Sequence, residues 1–389
     1  MIRLAIVTTH PIQYYAPIFR LLHERGKISV KVFYTLGQPE SAKFDPGFGR
    51  QVSWDIPLLD GYPFEWMRNT ARQPGTRHFR GIITPDLVNH IERWQSDAVL
   101  VVGWAYSSHL RVLRHFKNKI PRYFRGDSTL LNQSPDVKML LRSLSLNWVY
   151  HHVSHAFYVG INNREYFLKY GLKQDQLSFA PHAVDNDRFA ESRGEEAEQL
   201  RLKLNIKPDE VLILFAGKFE PVKDLGTLLT AFGNLGQENV HLVLAGKGVE
   251  EPELKEQAKK IRLAGHVHFM GFQNQSFMPF LYQACDLFCL PSKSETWGLS
   301  INEAMACSKA VLVSDKVGCA PDLVLEGQNG MTFKSQDAGD LAKALKELTA
   351  DKEILFRFGR RSRELINDWT FEKIATAIEN TLTGIHEPA

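Results

Sequence analysis

The chain has only four cysteines in 389 residues, Cys285, Cys289, Cys307 and Cys319, all in its second half. Their spacing is not that of a zinc site, and each falls in an apolar segment. A disulfide framework is therefore not indicated; buried free thiols in a reducing compartment are. No apolar run comes near the roughly 20 residues that span a bilayer. The first residues, Met1-Ile-Arg-Leu-Ala-Ile-Val-Thr8, hold one arginine and no plausible cleavage site. They read as a first strand rather than a signal peptide. A complete Gly-x-Gly-x-x-Gly is also missing, because Gly246-x-Gly248 is followed by Glu251. That argues against a nicotinamide cofactor. The basic N-terminal half carries no recognisable nucleic-acid motif, so no nucleic-acid partner is expected.

What is present is ordinary soluble-protein composition, 44% hydrophobic and 23% charged. The length suits two or three domains with ample core. Charge is placed unevenly. Residues 1–181 carry 23 Lys+Arg against 13 Asp+Glu, a net +10, and the remainder carries 24 against 31, a net −7. Such asymmetry suggests an anionic partner for the first half, a membrane surface or a diphosphate-linked lipid among them; a merely basic surface explains it equally well.

Short β-branched runs alternate with longer amphipathic ones. Strands are expected at 4–8, 30–34, 98–102, 122–125 and 156–159, then at 211–216, 241–245, 267–270, 286–290 and 310–314. Helical patterns lie between them, for example at 16–25, 137–150, 225–233, 300–306 and 352–367. The alternation predicts parallel sheets covered on both faces, in two Rossmann-like domains. The boundary is read at Pro181-His-Ala-Val-Asp185-Asn-Asp187-Arg-Phe189, where proline ends a strand and a charged stretch follows. Asp185-Asn-Asp187 resembles a metal-binding Asp-x-Asp, but its place at a hinge favours a helix N-cap. Residues 50–83 are irregular, rich in Pro, Gly, Trp and Arg, and read either as an acceptor-binding loop or as a local extension with one hairpin. The helix 137–150 is apolar and basic; it reads as core packing or as a surface resting on a membrane.

In open α/β sheets ligands bind beyond the carboxyl ends of the strands. Four groups of candidate residues fall there. Gly217-Lys218 follows 211–216, and Lys223 comes shortly after. Gly246-Lys-Gly248 follows 241–245, and Gly271-Phe272 follows 267–270. Pro291-Ser-Lys-Ser-Glu295-Thr-Trp-Gly298-Leu299-Ser300-Ile-Asn-Glu303 follows 286–290. Carboxylates accept from sugar hydroxyls, and the N–H groups at a helix start suit a phosphate. Glu295, Glu303 and the amides of Gly298, Leu299 and Ser300 therefore fit a nucleotide-sugar. In the first half the post-strand positions are Thr8-Thr9-His10-Pro11-Ile-Gln13-Tyr14, Gly103-Trp104 and Arg125-Gly126-Asp127-Ser128.

The segment Glu295 to Glu303 resembles the Glu-x7-Glu signature of family 4 retaining glycosyltransferases, which have the GT-B fold: two Rossmann-like β/α/β domains facing across a cleft. Gly217-Lys218-x4-Lys223 resembles that family's Gly-Arg-x4-Lys phosphate grip, with Lys218 in place of arginine, a point charge for a fork. The resemblance is strong over about 181–389 and weaker before. It implies an N-terminal acceptor domain at 1–181, a donor domain at 182–369, and a terminal helix, 370–389, crossing back. It implies a nucleoside-diphosphate sugar as donor and a glycan or lipid-linked acceptor, with no cofactor and no metal. Glu303 would hold the ribose, Glu295 the transferred sugar, Lys218 and Lys223 the diphosphate, with Gly217 part of the same phosphate grip; Gly246 and Gly248 would allow close backbone approach, and Gly271 and Phe272 would lie by the base. His10 and Asp127 are candidates for catalysis; His10 is alternatively a packed turn residue and Asp127 an N-cap. Tyr14, Trp104 and Arg125 are candidates for the acceptor, with Trp104 alternatively packing. The implied setting is bacterial surface-polysaccharide assembly in the cytoplasm, with peripheral contact at the inner membrane face. A nucleotide-sugar epimerase of similar architecture and a non-catalytic nucleotide-sugar-binding subunit are the alternatives.

Overall fold

Parallel strands buried on both faces need near-continuous apolar runs, and such runs build two sheets. The computed structural model describes residues 1–37, 43–45, 50–52, 54–131, 137–262 and 264–384. The first sheet holds β1 (Arg3–Thr8), β2 (Ser29–Tyr34), β5 (Phe64–Trp66), β6 (Ala98–Val102), β7 (Arg122–Arg125), β8 (His155–Tyr158) and β9 (Leu177–Phe179), in the order β5-β2-β1-β6-β7-β8-β9. All its pairings are parallel. A separate antiparallel hairpin joins β3 (Lys43–Asp45) to β4 (Arg50–Val52).

The second sheet holds β10 (Val211–Ala216), β11 (Val240–Ala245), β12 (Val267–Gly271), β13 (Leu287–Leu290), β14 (Ala310–Ser314) and β15 (Gly330–Phe333), in the order β12-β11-β10-β13-β14-β15. It too is wholly parallel. Every residue of β10, β11, β13 and β14 is buried. Strand order reverses at β1 in the first sheet and at β10 in the second. Those reversals open the crevices where ligands enter such folds.

The described residues of 1–42, 57–182 and 371–389 make one compact unit, and those of 43–56 and 183–370 make the other. The hairpin and residues 54–56, which the sequence places in the first domain, therefore compact with the second. The short strands β5 and β9 and the hairpin went unread because runs of three residues show no alternation, and β15 because Gly330 and Thr332 interrupt its apolar run.

The helix Phe371–Thr383 belongs to the first unit. It buries Ile374, Ala375 and Ile378 and sets Glu379, 1% exposed, against Arg25 and Lys27 at 3.1 and 3.3 Å. Asp185 accepts from the Arg188 amide at 3.0 Å and caps the helix Asn186–Ala190, as the N-cap reading expects. All four cysteines are free and buried. Burial pushes the Cys285 thiol up to about 12, so it stays protonated and inert. The helix Val137–Tyr150 buries Leu146, Val149 and Tyr150 and exposes Leu144 and Trp148. Among the described residues no helix is long and apolar enough to cross a membrane.

Candidate active site

The loops that follow β10, β11 and β12 are laced together through their backbones. Gly217 donates to the Ala245 carbonyl at 2.9 Å, Phe219 to Lys247 at 2.9 Å, and Gly246 to Gly271 at 2.7 Å. A Cβ on Gly246 would lie 1.8 Å from the Gly217 oxygen, and one on Gly248 would lie 2.3 Å from the Phe219 oxygen. The close approach that Gly246 and Gly248 permit is thus to neighbouring backbone.

The turn after β10 is clasped onto the turn after β13. Lys223, in the short 3-10 turn Pro221–Lys223, forms an ion pair with Glu295. Asp224 takes a left-handed conformation, φ 54°, and receives Lys293 at 3.1 Å. The Lys293 amide donates to the Val222 carbonyl at 2.8 Å. The two turns are so joined by two ion pairs of opposite sense and one backbone bond. Lys223 and Glu295 side chains are each 19% exposed, within reach of a ligand yet largely desolvated.

Glu295 is also fixed through its backbone, which takes the Gly318 amide at 3.0 Å and donates to Lys316 at 3.1 Å. Gly298, at φ 102°, turns the chain into the helix Leu299–Ala306. The amides of Leu299 and Ser300 lie in its first turn, where a helix has no carbonyl to offer them. Glu303 follows one turn later. It is 3% exposed and accepts from the Tyr282 hydroxyl at 2.8 Å. Lys218 is half-buried at the end of β10, and Phe272 stands at the end of β12. Glu295, Glu303, Lys218, Lys223, Gly217, Gly271, Phe272, Gly298, Leu299 and Ser300 all fall at the carboxyl edge of one sheet, around its reversal point.

In the first unit the post-strand residues form a second cluster. The amides of Thr35 and Leu36 reach the Thr9 carbonyl at 3.1 and 2.7 Å, and the Thr9 hydroxyl meets His10 Nδ1 at 2.9 Å. Beneath this loop lies His109, fully buried. Its Nδ1–H donates to the Gly103 carbonyl at 2.7 Å, and its Nε2 meets the Thr35 hydroxyl at 2.8 Å. Burial drives its pKa down to about 4.

Asp127 sits 3.7 Å from His182 Nε2, with its own side chain 44% exposed. It lies ten positions ahead of the helix Val137–Tyr150 and does not cap it. Burial holds His182 below the usual histidine range. Tyr14 is half-buried at the start of the helix Ala16–Arg25.

Arg125 is corrected as an acceptor residue. It is 2% exposed, and it donates to the carbonyls of Ala180 and Pro181 at 2.7 and 2.8 Å. Its charge serves to tie the end of β7 to the end of β9. Trp104 is half-buried and packs against the unit's core.

The sequence reading missed His109, His182, Tyr282, Lys293 and Trp54. His182 stood in view beside Pro181, but nothing local announced its pairing with Asp127. Tyr282 lies on an apolar helix, Met278–Ala284, where an aromatic residue reads as core.

Residues 196–365 match the family described as Glycosyl transferases group 1. D-inositol 3-phosphate glycosyltransferase of Nocardia farcinica is 29% identical over 202 residues, 50% of this chain and 44% of that protein. N,N'-diacetylbacillosaminyl-diphospho-undecaprenol alpha-1,3-N-acetylgalactosaminyltransferase of Campylobacter jejuni is 26% identical over 217 residues, 54% of this chain and 55% of that protein. The chain thus spans about half the length of the curated relatives it matches. Among solved structures, sucrose-phosphate synthase from Thermosynechococcus elongatus superposes with a TM-score of 0.78 at 19% identity, over 99% of both chains. Anabaena Alr3699/HepE in complex with UDP-glucose does so with a TM-score of 0.74 at 17% identity, over 99% of this chain and 100% of that one. The chain has the GT-B fold of these structures, and residues 196–365, within its second unit, match the model of glycosyl transferases group 1.

Proposed function

We propose that the protein is a retaining glycosyltransferase that moves a sugar from a nucleoside-diphosphate sugar to a hydroxyl of a glycan or lipid-linked acceptor, in bacterial surface-polysaccharide assembly. One observation carries this reading: the Lys223–Glu295 ion pair, set beside the helix start at Gly298 and ahead of Glu303. An ammonium and a carboxylate that neutralise each other can both be re-used by a ligand that brings an anion and a hydroxyl together. A sugar diphosphate is such a ligand. Its phosphate takes Lys223, Lys218 and the amides of Leu299 and Ser300; its sugar hydroxyl donates to Glu295. Glu303, already oriented by Tyr282, accepts from the ribose.

Cleavage of the sugar–phosphate bond then leaves a nucleoside diphosphate. Its growing charge is stabilised by two lysines and a helix N-terminus that need no reorganisation during the step. The sugar passes through an oxocarbenium-like state. The acceptor hydroxyl attacks the face the phosphate leaves, and that phosphate takes the acceptor proton. Asp127, with an exposed carboxylate backed by His182, is a candidate to orient the acceptor hydroxyl, and His10, on the loop after β1, is a second candidate. Retention is carried by the family resemblance.

The test is thermal stabilisation by UDP, GDP, ADP and CMP, in the wild type and in Glu303→Ala. A ligand at about 100 times its Kd adds roughly 2.7 kcal/mol of stability. The expected result is that one nucleotide raises the wild-type Tm and that Glu303→Ala loses the response. Absence of any response in the wild type would overturn the donor-site reading.

A further inference from the structure

Residues 54–56 lie, in chain order, within the first unit, yet they compact with the second. Two contacts hold them there. The Asp55 carboxylate accepts from the Ser276 hydroxyl and, at 3.1 Å, from the Ser276 amide. The Trp54 ring stands against Phe272, with centroids 6.4 Å apart and planes tilted 42°. Phe272 directly follows Gly271, whose left-handed turn, φ 67°, ends β12 and whose carbonyl takes the Gly246 amide. Ser276 leads into the helix Met278–Ala284, which carries Tyr282 and through it orients Glu303.

The order of parts along a nucleotide is diphosphate, ribose, base. On the donor-site reading, the diphosphate lies at Lys223 and Gly298 and the ribose at Glu303. The next structure outward from Glu303 is the Tyr282 helix and the segment 271–277 that precedes it. There the half-buried ring of Phe272 stands beside the half-buried ring of Trp54. Every nucleobase has a π-face, and stacking on an aromatic side chain is worth about 1–3 kcal/mol per base. A strap that served only to anchor the hairpin would need Asp55 and an apolar contact; it would not need an indole facing the residue at the end of β12.

We propose that Trp54 is a base-stacking residue of the donor site, delivered by the strap 54–56 and paired with Phe272 to take the heteroaromatic base of the nucleotide. The proposal rests on the donor-site reading and adds to it a specificity residue from outside the donor unit's own run of sequence. Asp55 is a positioning residue, which touches no nucleotide but fixes the strap to Ser276.

Calorimetric titration with UDP, GDP, ADP, CMP and inorganic pyrophosphate tests this on the full chain, in the wild type, Trp54→Leu, Trp54→Phe and Asp55→Ala. For the nucleotide the wild type prefers, Trp54→Leu is expected to raise Kd roughly tenfold or more. Trp54→Phe keeps most of the affinity, Asp55→Ala follows Trp54→Leu, and pyrophosphate binds all four alike. Equal nucleotide affinity in Trp54→Leu and the wild type overturns the proposal while leaving the donor site standing. So does an equal loss of pyrophosphate, which would make the effect structural. A wild type that binds no nucleotide overturns the donor-site reading itself, and this proposal with it. Trp54→Leu keeps an apolar side chain of good size; should it fail to fold, the Trp54→Phe and Asp55→Ala pair decides, since stacking requires the first to bind well and the second poorly.

Discussion

A β-carbon on Gly246 would lie 1.8 Å from the Gly217 carbonyl oxygen, with backbone rather than a flexible side chain as the obstacle. Neither loop can yield without breaking the bonds that join β10, β11 and β12 at their carboxyl ends. Its φ of 149° adds conformational strain for any L side chain. Gly246→Ala is therefore expected to cost roughly 3–5 kcal/mol, the range reserved for clash and backbone strain combined. Gly26 is the internal control. Its φ is 60°, and nothing lies within 4 Å of its would-be Cβ. Gly26→Ala should cost only about 1 kcal/mol. Urea unfolding midpoints of the two variants check this, and similar midpoints would refute it. Both glycines were legible as turn residues, because each ends a periodic run. What Gly246 approaches was not legible, since its partner is 29 positions away in sequence and adjacent only through the register of β10 on β11. Arg125 hid its role for the same reason: its acceptors lie 55 and 56 positions on.

At the scale of elements, His109 ties together the carboxyl ends of three neighbouring strands, β1, β2 and β6, through Thr35 and Gly103. Those ends carry Thr8 to His10 and Trp104, so the histidine underlies both loops. Burial keeps it neutral, with a pKa of about 4 against an ordinary 6.5. Above pH 6.5 neither the folded nor the unfolded chain holds the proton, and His109 contributes nothing to pH dependence. Below it the unfolded chain takes up a proton that the folded chain refuses. Stability of the first unit should fall as pH drops from about 6.5 toward 4 and then level off, by about 3 kcal/mol at the limit. The measurement is the Tm difference between the wild type and His109→Gln from pH 7.5 to 4.5. The difference should shrink or reverse as the solution is acidified; a constant difference would show that His109 protonates freely in the folded chain. Long apolar strands such as β10 and β11 were plain in the sequence because burial on both faces leaves six apolar or nearly apolar positions in a row. The edge strands β5, β9 and β15 were not, because three residues are too few to show a pattern and Gly330 and Thr332 break that of β15.

The whole molecule is two parallel sheets written almost in series, with two exchanges of chain between them: the described residues of 43–56 pass to the second unit and those of 371–389 return to the first. The return was expected from resemblance; the forward exchange was not, because no composition change marks where the chain leaves one core for another. The returning helix Phe371–Thr383 gives this division a test. Its Ile374 and Ile378 are 1% and 2% exposed, and burying two isoleucines is worth about 3–6 kcal/mol. Its Glu379 pairs with Arg25 and Lys27 on and beside the helix Ala16–Arg25, and its Thr381 meets Ser178 in β9 at 3.1 Å. A chain ending at Thr370 loses all of these from the first unit and none from the second. Differential scanning calorimetry of the truncated chain should therefore show one transition lowered by many degrees and the other near its original temperature. The unmoved transition should still rise on adding whichever nucleotide stabilises the full chain, because every donor-site residue from Gly217 to Glu303 remains. Arg25→Ala should act in the same direction at smaller size, since it leaves the buried Glu379 with Lys27 alone, whose side chain is 61% exposed. Two transitions lowered together by the truncation would mean that the units unfold as one body, and the division at 182 and 370 would lose its energetic meaning.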